Sequence, residues 1–325
     1  MPIANRKSLT DIQEKQLNNR MTTIMQQLFV HDGSMNNTPN RYVDGLGLIW
    51  HKSEWPGNFP DSEYKFTLAT GDGFRAGRAE WIGIILGSHL SLRNQKIPIL
   101  IELGSSQGLW CANWIKILEK LNKSEDKIEA HGYEAAESFG STRKFWMQNF
   151  QEIHVSEDSL KLIIENKNWV FIQNRLAVNK NRKEVFFPSV DITKDNGAQI
   201  ISKGPGKVDY RGKVVAYEKI QSVTISQIAN KFDCISVLHV DLQGMETLLL
   251  RRRTQKVLSE KVITLIIGTH SLENHDRLKK KLKKNFLVIC DEYPKFEDQT
   301  LVDDGTITLV NKKNHQELFE ELRYI

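Results

Sequence analysis

The chain has 325 residues, 40% of them apolar and 26% charged, with a net charge of +5 and a pI near 8.9. This composition reads as soluble and globular, and the length allows one large domain or a domain with an extension. The mild positive charge favours anionic partners slightly without demanding nucleic acid.

The start, "MPIANRKSLTDIQ", has no apolar h-region, which argues against a secretory signal. No apolar run approaches the roughly 18 residues of a membrane span, so a cytoplasmic protein is the default expectation. Cys111, Cys234 and Cys290 match no metal spacing; Cys234 and Cys290, in or beside apolar runs, read as buried structural thiols, and a reducing compartment fits.

Residues 1–75 are polar, with segments such as "MNNTPNRY" and "HKSEWPGNFP". They read as an N-terminal extension, a short helix near 10–29 followed by irregular structure. A domain spanning 76–325 follows. "RAEWIGIILGSHLSL" has the look of a helix, and "IPILIELG" is a continuous apolar run ending in glycine. "LWCANWIKILEKL" has helical spacing, "KIEAHGYEA" reads as a strand, "SFGSTRKFWMQNF" as a helix and "WVFIQNRLAV" as a strand. After a short strand at "EVFF", residues 188–217, with "SKGPGKVDYRGK", read as a loop insertion. "TISQIANKF" is a helix leading into the strand "CISVLHVD". "GMETLLLRRRTQKVL" is helical, "VITLIIGTH" a strand, and "LENHDRLKKKLKKN" a charged helix before "FLVICDEY" and "GTITLVNKK".

Strands alternating with helices imply parallel crossovers, hence an α/β fold with a doubly wound, mostly parallel seven-stranded sheet. The last two strands lack a helix between them and should pair as an antiparallel hairpin at the edge. No repeat of 20–50 residues is visible. "RRRTQK" and "RLKKKLKK" read first as solvated helix faces, with phosphate contact as the other reading; neither carries the interleaved aromatics of a stacking platform.

In such a sheet, ligands bind beyond the carboxyl ends of the strands. The first strand ends in "IELGSSQGLW", with Glu102, Gly104, Ser105 and Gly108 around the turn into a helix. Glycine permits close backbone approach to a cofactor, and the helix start presents free N–H groups. The spacing is neither G-x-G-x-x-G nor a phosphate loop. Glu134, at the second strand end, can accept hydrogen bonds from ribose hydroxyls or serve as a helix N-terminal acid. Asn174 follows the third strand, as a partner for an adenine edge or as a turn residue. The fourth and fifth strands end at Asp241 and His270. Each residue alone is a weak signal; their placement at corresponding ends of one sheet is the stronger one.

Together these residues resemble class I S-adenosylmethionine-dependent methyltransferases, and among them the FkbM-type family. "ELGSSQG" is similar to that family's D-x-G-A-x-x-G, "YEAA" to its acid after the second strand and "NRLAV" to its N-x-A-V. "HVDLQGME" resembles K-I-D-V-E-G-x-E. The likeness spans roughly 97–312; His239 and Gln243 depart from it, where the family has lysine and glutamate. The resemblance implies a Rossmann-like methyltransferase fold. It implies S-adenosyl-L-methionine bound by Glu102, Gly104, Ser105, Gly108, Glu134 and Asn174, with Asp241 bordering cofactor and acceptor. It also implies O-methylation of a sugar-like or natural-product acceptor. The missing N/D-P-P-Y/F signature argues against a nucleic-acid acceptor.

A hydroxyl acceptor gains from a base, and Asp241, His270 or alignment without a base are the three readings. His270 enters because its unperturbed pKa is nearer neutrality. Glu246, just past Gly244, reads as support. A metal held by Asp241, Glu246 and His270 is conceivable, but no recognised ligand spacing is present and none is expected. Arg75 and Arg78 read as a polar linker or an anion-binding cover, and the 188–217 insertion as a substrate lid or a disordered loop. An NAD-dependent oxidoreductase or epimerase, and a degenerate nucleotide-binding module, remain the alternatives.

Overall fold

Alternate residues of the apolar runs feed two separate cores, and this makes the sheet a buried central layer. The computed structural model describes residues 78–93, 97–106, 108–121, 128–136, 168–173, 175–181, 183–189, 198–200, 216–298 and 300–314. Shorter described pieces lie at 23, 41–43, 48–51, 146, 153–155 and 159–164.

The chain begins with β1 (Arg41–Val43) and β2 (Ile49–His51), then α1 (Arg78–Arg93), β3 (Ile99–Leu103), α2 (Leu109–Leu121) and β4 (Glu129–Tyr133). Five strands follow: β5 (Ile153–Val155), β6 (Ser159–Ile164), β7 (Asn168–Gln173), β8 (Leu176–Val178) and β9 (Val185–Pro188). Next come β10 (Tyr217–Val223), α3 (Ile225–Ala229), β11 (Ile235–Val240), a 3-10 turn (Glu246–Leu250), α4 (Arg252–Lys261) and β12 (Val262–Thr269). The series ends with α5 (Leu272–Leu282), β13 (Phe286–Glu292), β14 (Lys295–Glu297), β15 (Thr300–Asp303) and β16 (Gly305–Asn311).

The main sheet has the order β13-β16-β12-β11-β3-β4-β7-β6-β5. β4 and β11 flank β3 in parallel, and β7 and β12 extend the parallel set on either side. From β3 the chain steps outward through β4 and β7, then returns to β11 and β12 on the other side. The order therefore reverses between β3 and β11, which is a topological switch point. This is the expected doubly wound, mostly parallel, Rossmann-like sheet, with seven strands from β13 to β7. The antiparallel β6 and β5 extend it beyond β7. The final pair is antiparallel as expected, with β16 set between β12 and β13 and pairing antiparallel with both.

Period-two alternation assigns each face. Leu100, Val237 and Ile266 face α1 and α2, in the core that holds Ile82, Ile85, Trp114 and Leu118. Ile101, Leu238 and Ile267 face α3, α4 and α5, with Ile228, Leu258 and Leu278. α1 lies close on the sheet because it carries glycine at the contact: a Cβ at Gly87 would come within 2.3 Å of Val237 Cγ2. Leu48, fully buried, joins the first core from the N-terminal segment.

Three stretches differ from expectation. "WVFIQNRLAV" is two strands: β7 ends in the main sheet, and β8 pairs with β10 in a second sheet of order β8-β10-β9. Arg175, at φ 54°, makes the turn between them. "GMETLLLRRRTQKVL" is not one helix. Leu249 and Leu258 are both buried, and nine residues of continuous helix at about 100° each would set them on opposite faces. Arg251, extended at φ −68° and ψ 138°, breaks the run so that both reach the core. β1, β2, β5, β6, β10, β14 and β15 were not expected.

The predicted helices at 10–29 and in "SFGSTRKFWMQNF" lie almost wholly outside the described residues, as do Arg75 and most of the 188–217 insertion. The three cysteines form no disulfide; Cys111 is buried, and Cys234 and Cys290 are half-buried. No helix among the described residues is long and apolar enough to cross a membrane.

Candidate functional site

Backbone hydrogen bonds tie the strand ends together at the switch point. Gly104 N–H donates to Tyr133 O (2.9 Å), Asp241 N–H to Leu103 O (2.9 Å) and Glu134 N–H to Gln173 O (2.8 Å). Gly104 has φ +78°, and a Cβ there would lie 1.7 Å from the Asp241 carbonyl oxygen. Only glycine lets the first turn pass so close to the fourth strand end.

The crevice formed there is lined by Gly104, Ser106, Glu134 and Asp241, with an apolar wall of Leu176, Val178, Phe187 and Ile200. Residues 198–200 lie over it: Ala198 and Ile200 line the crevice, and Gln199 Nε2 donates to Gln243 O at 3.0 Å. The enclosed volume beneath is about 100 Å³. Small-molecule pockets measure about 300–1,000 Å³, so the crevice in this conformation is narrower than such a pocket.

Glu134 spans the crevice floor, accepting from Ser106 N–H (2.6 Å) and Ala136 N–H (2.8 Å). Burial pushes its pKa up, against those N–H donors. Each oxygen keeps a second lone pair, so the carboxylate can still accept from a diol.

Asp241 is part of a charged cluster on the β12 side. His270 Nε2 lies 3.3 Å from Asp241 Oδ1 and 3.6 Å from Asp304 Oδ2, and His270 Nδ1 lies 3.1 Å from Glu246 Oε1. Neither ring nitrogen makes an aligned hydrogen bond, so the contacts are charge–charge contacts at ion-pair distance. Burial opposes the charge on His270, but Asp241 and Glu246 outweigh it and push the pKa up to about 11. Burial likewise works to raise Asp241, yet His270 dominates and holds its carboxyl below the ordinary range.

Glu246 is fully buried, and its Oε1 accepts from Leu242 N–H (3.1 Å) and Gly244 N–H (2.9 Å). It thereby fixes the turn that follows Asp241. His270 is thus a cation at neutral pH. With its proton held there, His270 has no free ring lone pair facing Asp241.

Asp241, His270 and Asp304 offer three ligand atoms within 4.8 Å of one another, a set able to hold a divalent ion. The imidazolium already supplies positive charge at that point. Glu246, considered as a third ligand from the sequence, instead contacts the opposite ring nitrogen.

The remaining predicted residues are placed differently. Glu102 does not line the crevice. Its carboxylate lies beneath it and accepts from Trp110 N–H (3.3 Å) and Cys111 N–H (3.0 Å), capping α2; burial raises its pKa to about 8. Ser105 is buried with its Oγ turned toward Gly132, and Ser106 takes the crevice position. Gly108, at φ +83°, starts α2 against Ile172 and Trp146. Asn174 lies outside the described residues. His239 is buried beside Trp110, and burial lowers its pKa to about 4, so it is neutral.

The sequence reading missed Ser106, Gln243, Asp304 and Glu80. Gln243 Nε2 lies 3.3 Å from Asp241 Oδ1. Glu80, in the first turn of α1, accepts from Thr306 Oγ1 at 2.6 Å, and burial raises its pKa to about 7. "VDDGT" marks Asp304 as a turn acid ahead of the last strand, a signal that was there to use.

No protein-family model matches the chain, and no curated protein matches its sequence. Among solved structures, the chain is similar to a crystal structure from Pyrococcus horikoshii described as "a putative RNA methyltransferase". The identity is 9%, the match covers 71% of this chain and 85% of that one, and the TM-score is 0.31.

Proposed function

We propose that this chain is an S-adenosylmethionine-dependent methyltransferase of the FkbM type, methylating a hydroxyl of a small-molecule or saccharide acceptor. The observation that carries this reading is that Gly104, Glu134 and Asp241, quoted from three separate motifs, line one crevice at the switch point of the sheet. The bare backbone at Gly104, where any side chain would strike Asp241, is the kind of surface a cofactor's tail can approach.

Gly104 and Ser106 would hold that tail, Glu134 the ribose hydroxyls, and the wall of Leu176, Val178 and Ile200 the base. Bound there, the cofactor supplies a methyl group on a sulfonium, transferred by in-line displacement. The chain's own task is alignment. Asp241, ionised at neutral pH, orients the acceptor hydroxyl and takes its proton. His270, held as a cation, keeps Asp241 ionised and aimed, and Glu246 fixes both through the turn.

Thermal shift tests the reading with S-adenosylhomocysteine against NAD(H). Stabilisation by S-adenosylhomocysteine alone is expected, and the Glu134→Ala variant should lose it. Stabilisation by the dinucleotide alone would assign an oxidoreductase, and response to neither would leave a degenerate module.

A further inference from the structure

A second cavity, of about 810 Å³, is bordered by two of the chain segments that also border the crevice. Val178 borders the crevice while Asn179, Lys180 and Asn181 border the cavity; Met245 borders the first and Leu248 the second. The rest of the cavity wall comes from the start of α3 and from Arg251, Arg252 and Arg253 at the start of α4.

None of the described lining residues is acidic. The three arginines are exposed, and among the described residues none of their side chains, nor that of Lys180, has an acidic partner. The helix that begins there has no side-chain cap at Arg251, so the N–H groups of its first turn have no side-chain acceptor.

Four like charges around one concavity repel one another unless an anion joins them. Guanidinium groups pair with phosphoryl oxygens in bidentate geometry, and a helix start adds N–H donors of the same preference. The volume falls inside the about 300–1,000 Å³ of small-molecule pockets. Among the described residues no aromatic side chain lines the cavity, and aromatic side chains are the stacking surface that single-stranded nucleic acid uses.

We infer that this cavity binds the phosphoryl group of a small phosphorylated molecule. Resting on the methyltransferase reading above, that molecule is the acceptor, a hydroxylated compound anchored by its phosphate while its hydroxyl reaches Asp241.

Calorimetry with inorganic pyrophosphate at low salt tests the cavity. Binding to the full chain is expected, weakening as salt rises. Affinity should fall at least about tenfold in the Arg251→Gln/Arg253→Gln double variant, since a charged hydrogen bond is worth about a factor of ten or more. Both substitutions are on exposed side chains, and S-adenosylhomocysteine binding in the same variant should stay at the wild-type value. An unchanged pyrophosphate affinity, or no binding by wild type, overturns the site. Tighter, length-dependent binding of a single-stranded RNA oligomer overturns the small-molecule assignment.

Methyl transfer to a panel of sugar phosphates and their dephosphorylated forms tests the acceptor. Equal transfer to both overturns the anchoring role. Failure of S-adenosylhomocysteine to bind while pyrophosphate binding persists would remove the methyltransferase reading and leave the phosphate site standing.

Discussion

His270→Gln is the most informative single change, because it removes one positive charge and keeps most of the volume. His270 lies between a fully buried carboxylate, Glu246, and a partly exposed one, Asp241. A shift from its ordinary 6.5 to about 11 has a ceiling of about 6 kcal/mol between the two protonation states. Breaking a buried pair by removing one partner costs about 3–5 kcal/mol. Solvent at Asp241 screens part of the attraction, so the lower end is expected, about 3 kcal/mol at pH 6.

The sign follows from linkage. A cation whose folded pKa is raised contributes fully below its unfolded pKa, here about pH 6.5, and the contribution is lost as pH rises toward 11. The gap between wild type and His270→Gln should therefore close by roughly 1.4 kcal/mol per pH unit above about pH 7. Urea unfolding followed by tryptophan fluorescence at pH 6, 7.5 and 9 measures it. A gap that stays constant across that range, or one below about 1 kcal/mol at pH 6, would refute the charged state assigned to His270.

Gly104→Ala should cost more than the about 1–2 kcal/mol of a left-handed alanine, because its Cβ would meet the Asp241 carbonyl. Thermal melting and S-adenosylhomocysteine titration should both show the loss, and full retention of binding would detach Gly104 from the site. For Glu102, burial raises the folded pKa to about 8, so its stabilising contribution is present below about pH 4.5 and is lost as pH rises through 8. Glu102→Gln keeps one of the two acceptors of Trp110 N–H and Cys111 N–H, so it should fall below wild type in urea at pH 4.5 and gain on it by on the order of 2–4 kcal/mol by pH 8.5; a difference that does not change with pH would place the ionised form in the fold. EDTA should leave methyl transfer unchanged, and a loss restored by Mg²⁺ or Mn²⁺ would give Asp241, His270 and Asp304 to a divalent ion instead.

What could be read from the chain depended on how local each signal was. β3, β11 and β12 are continuous apolar runs because alternate residues serve two cores, and their ends are marked by Gly104, Asp241 and His270 within one residue of the last ladder pair or the one after. A doubly wound sheet then brings those ends together by topology alone. Glu102 shows the limit of reading strand ends without parity. It shares a face with Leu100, toward the α1 and α2 layer, so it meets the start of α2 and not the crevice. The break at Arg251 was present in the phase difference between Leu249 and Leu258, which only an assumption that both are buried would have exposed. Asp304 and Glu80 were beyond such reasoning. They come to the cluster from 63 residues after Asp241 and from the helix before β3, through pairings of β16 that no local pattern announces.

Within the proposed reaction, the charge balance of the cluster favours Asp241 over His270 as the proton acceptor. A base must be unprotonated at neutral pH. His270 fails this test because two carboxylates hold its proton, and Asp241 meets it because the same contact holds its own proton off. That contact has a second effect: a carboxyl held below its ordinary range is a weaker base than a free one. The proposed role of Asp241 is then to accept the proton as the new bond forms and the oxygen becomes acidic. The larger part of the rate must then come from alignment, which the structure serves through the rigid Glu246 turn and the close approach at Gly104. On this view His270 is a positioning residue. Replacing it should change the pH profile and lower the turnover number while leaving cofactor affinity nearly intact, whereas loss of Asp241 removes orientation and proton acceptance together.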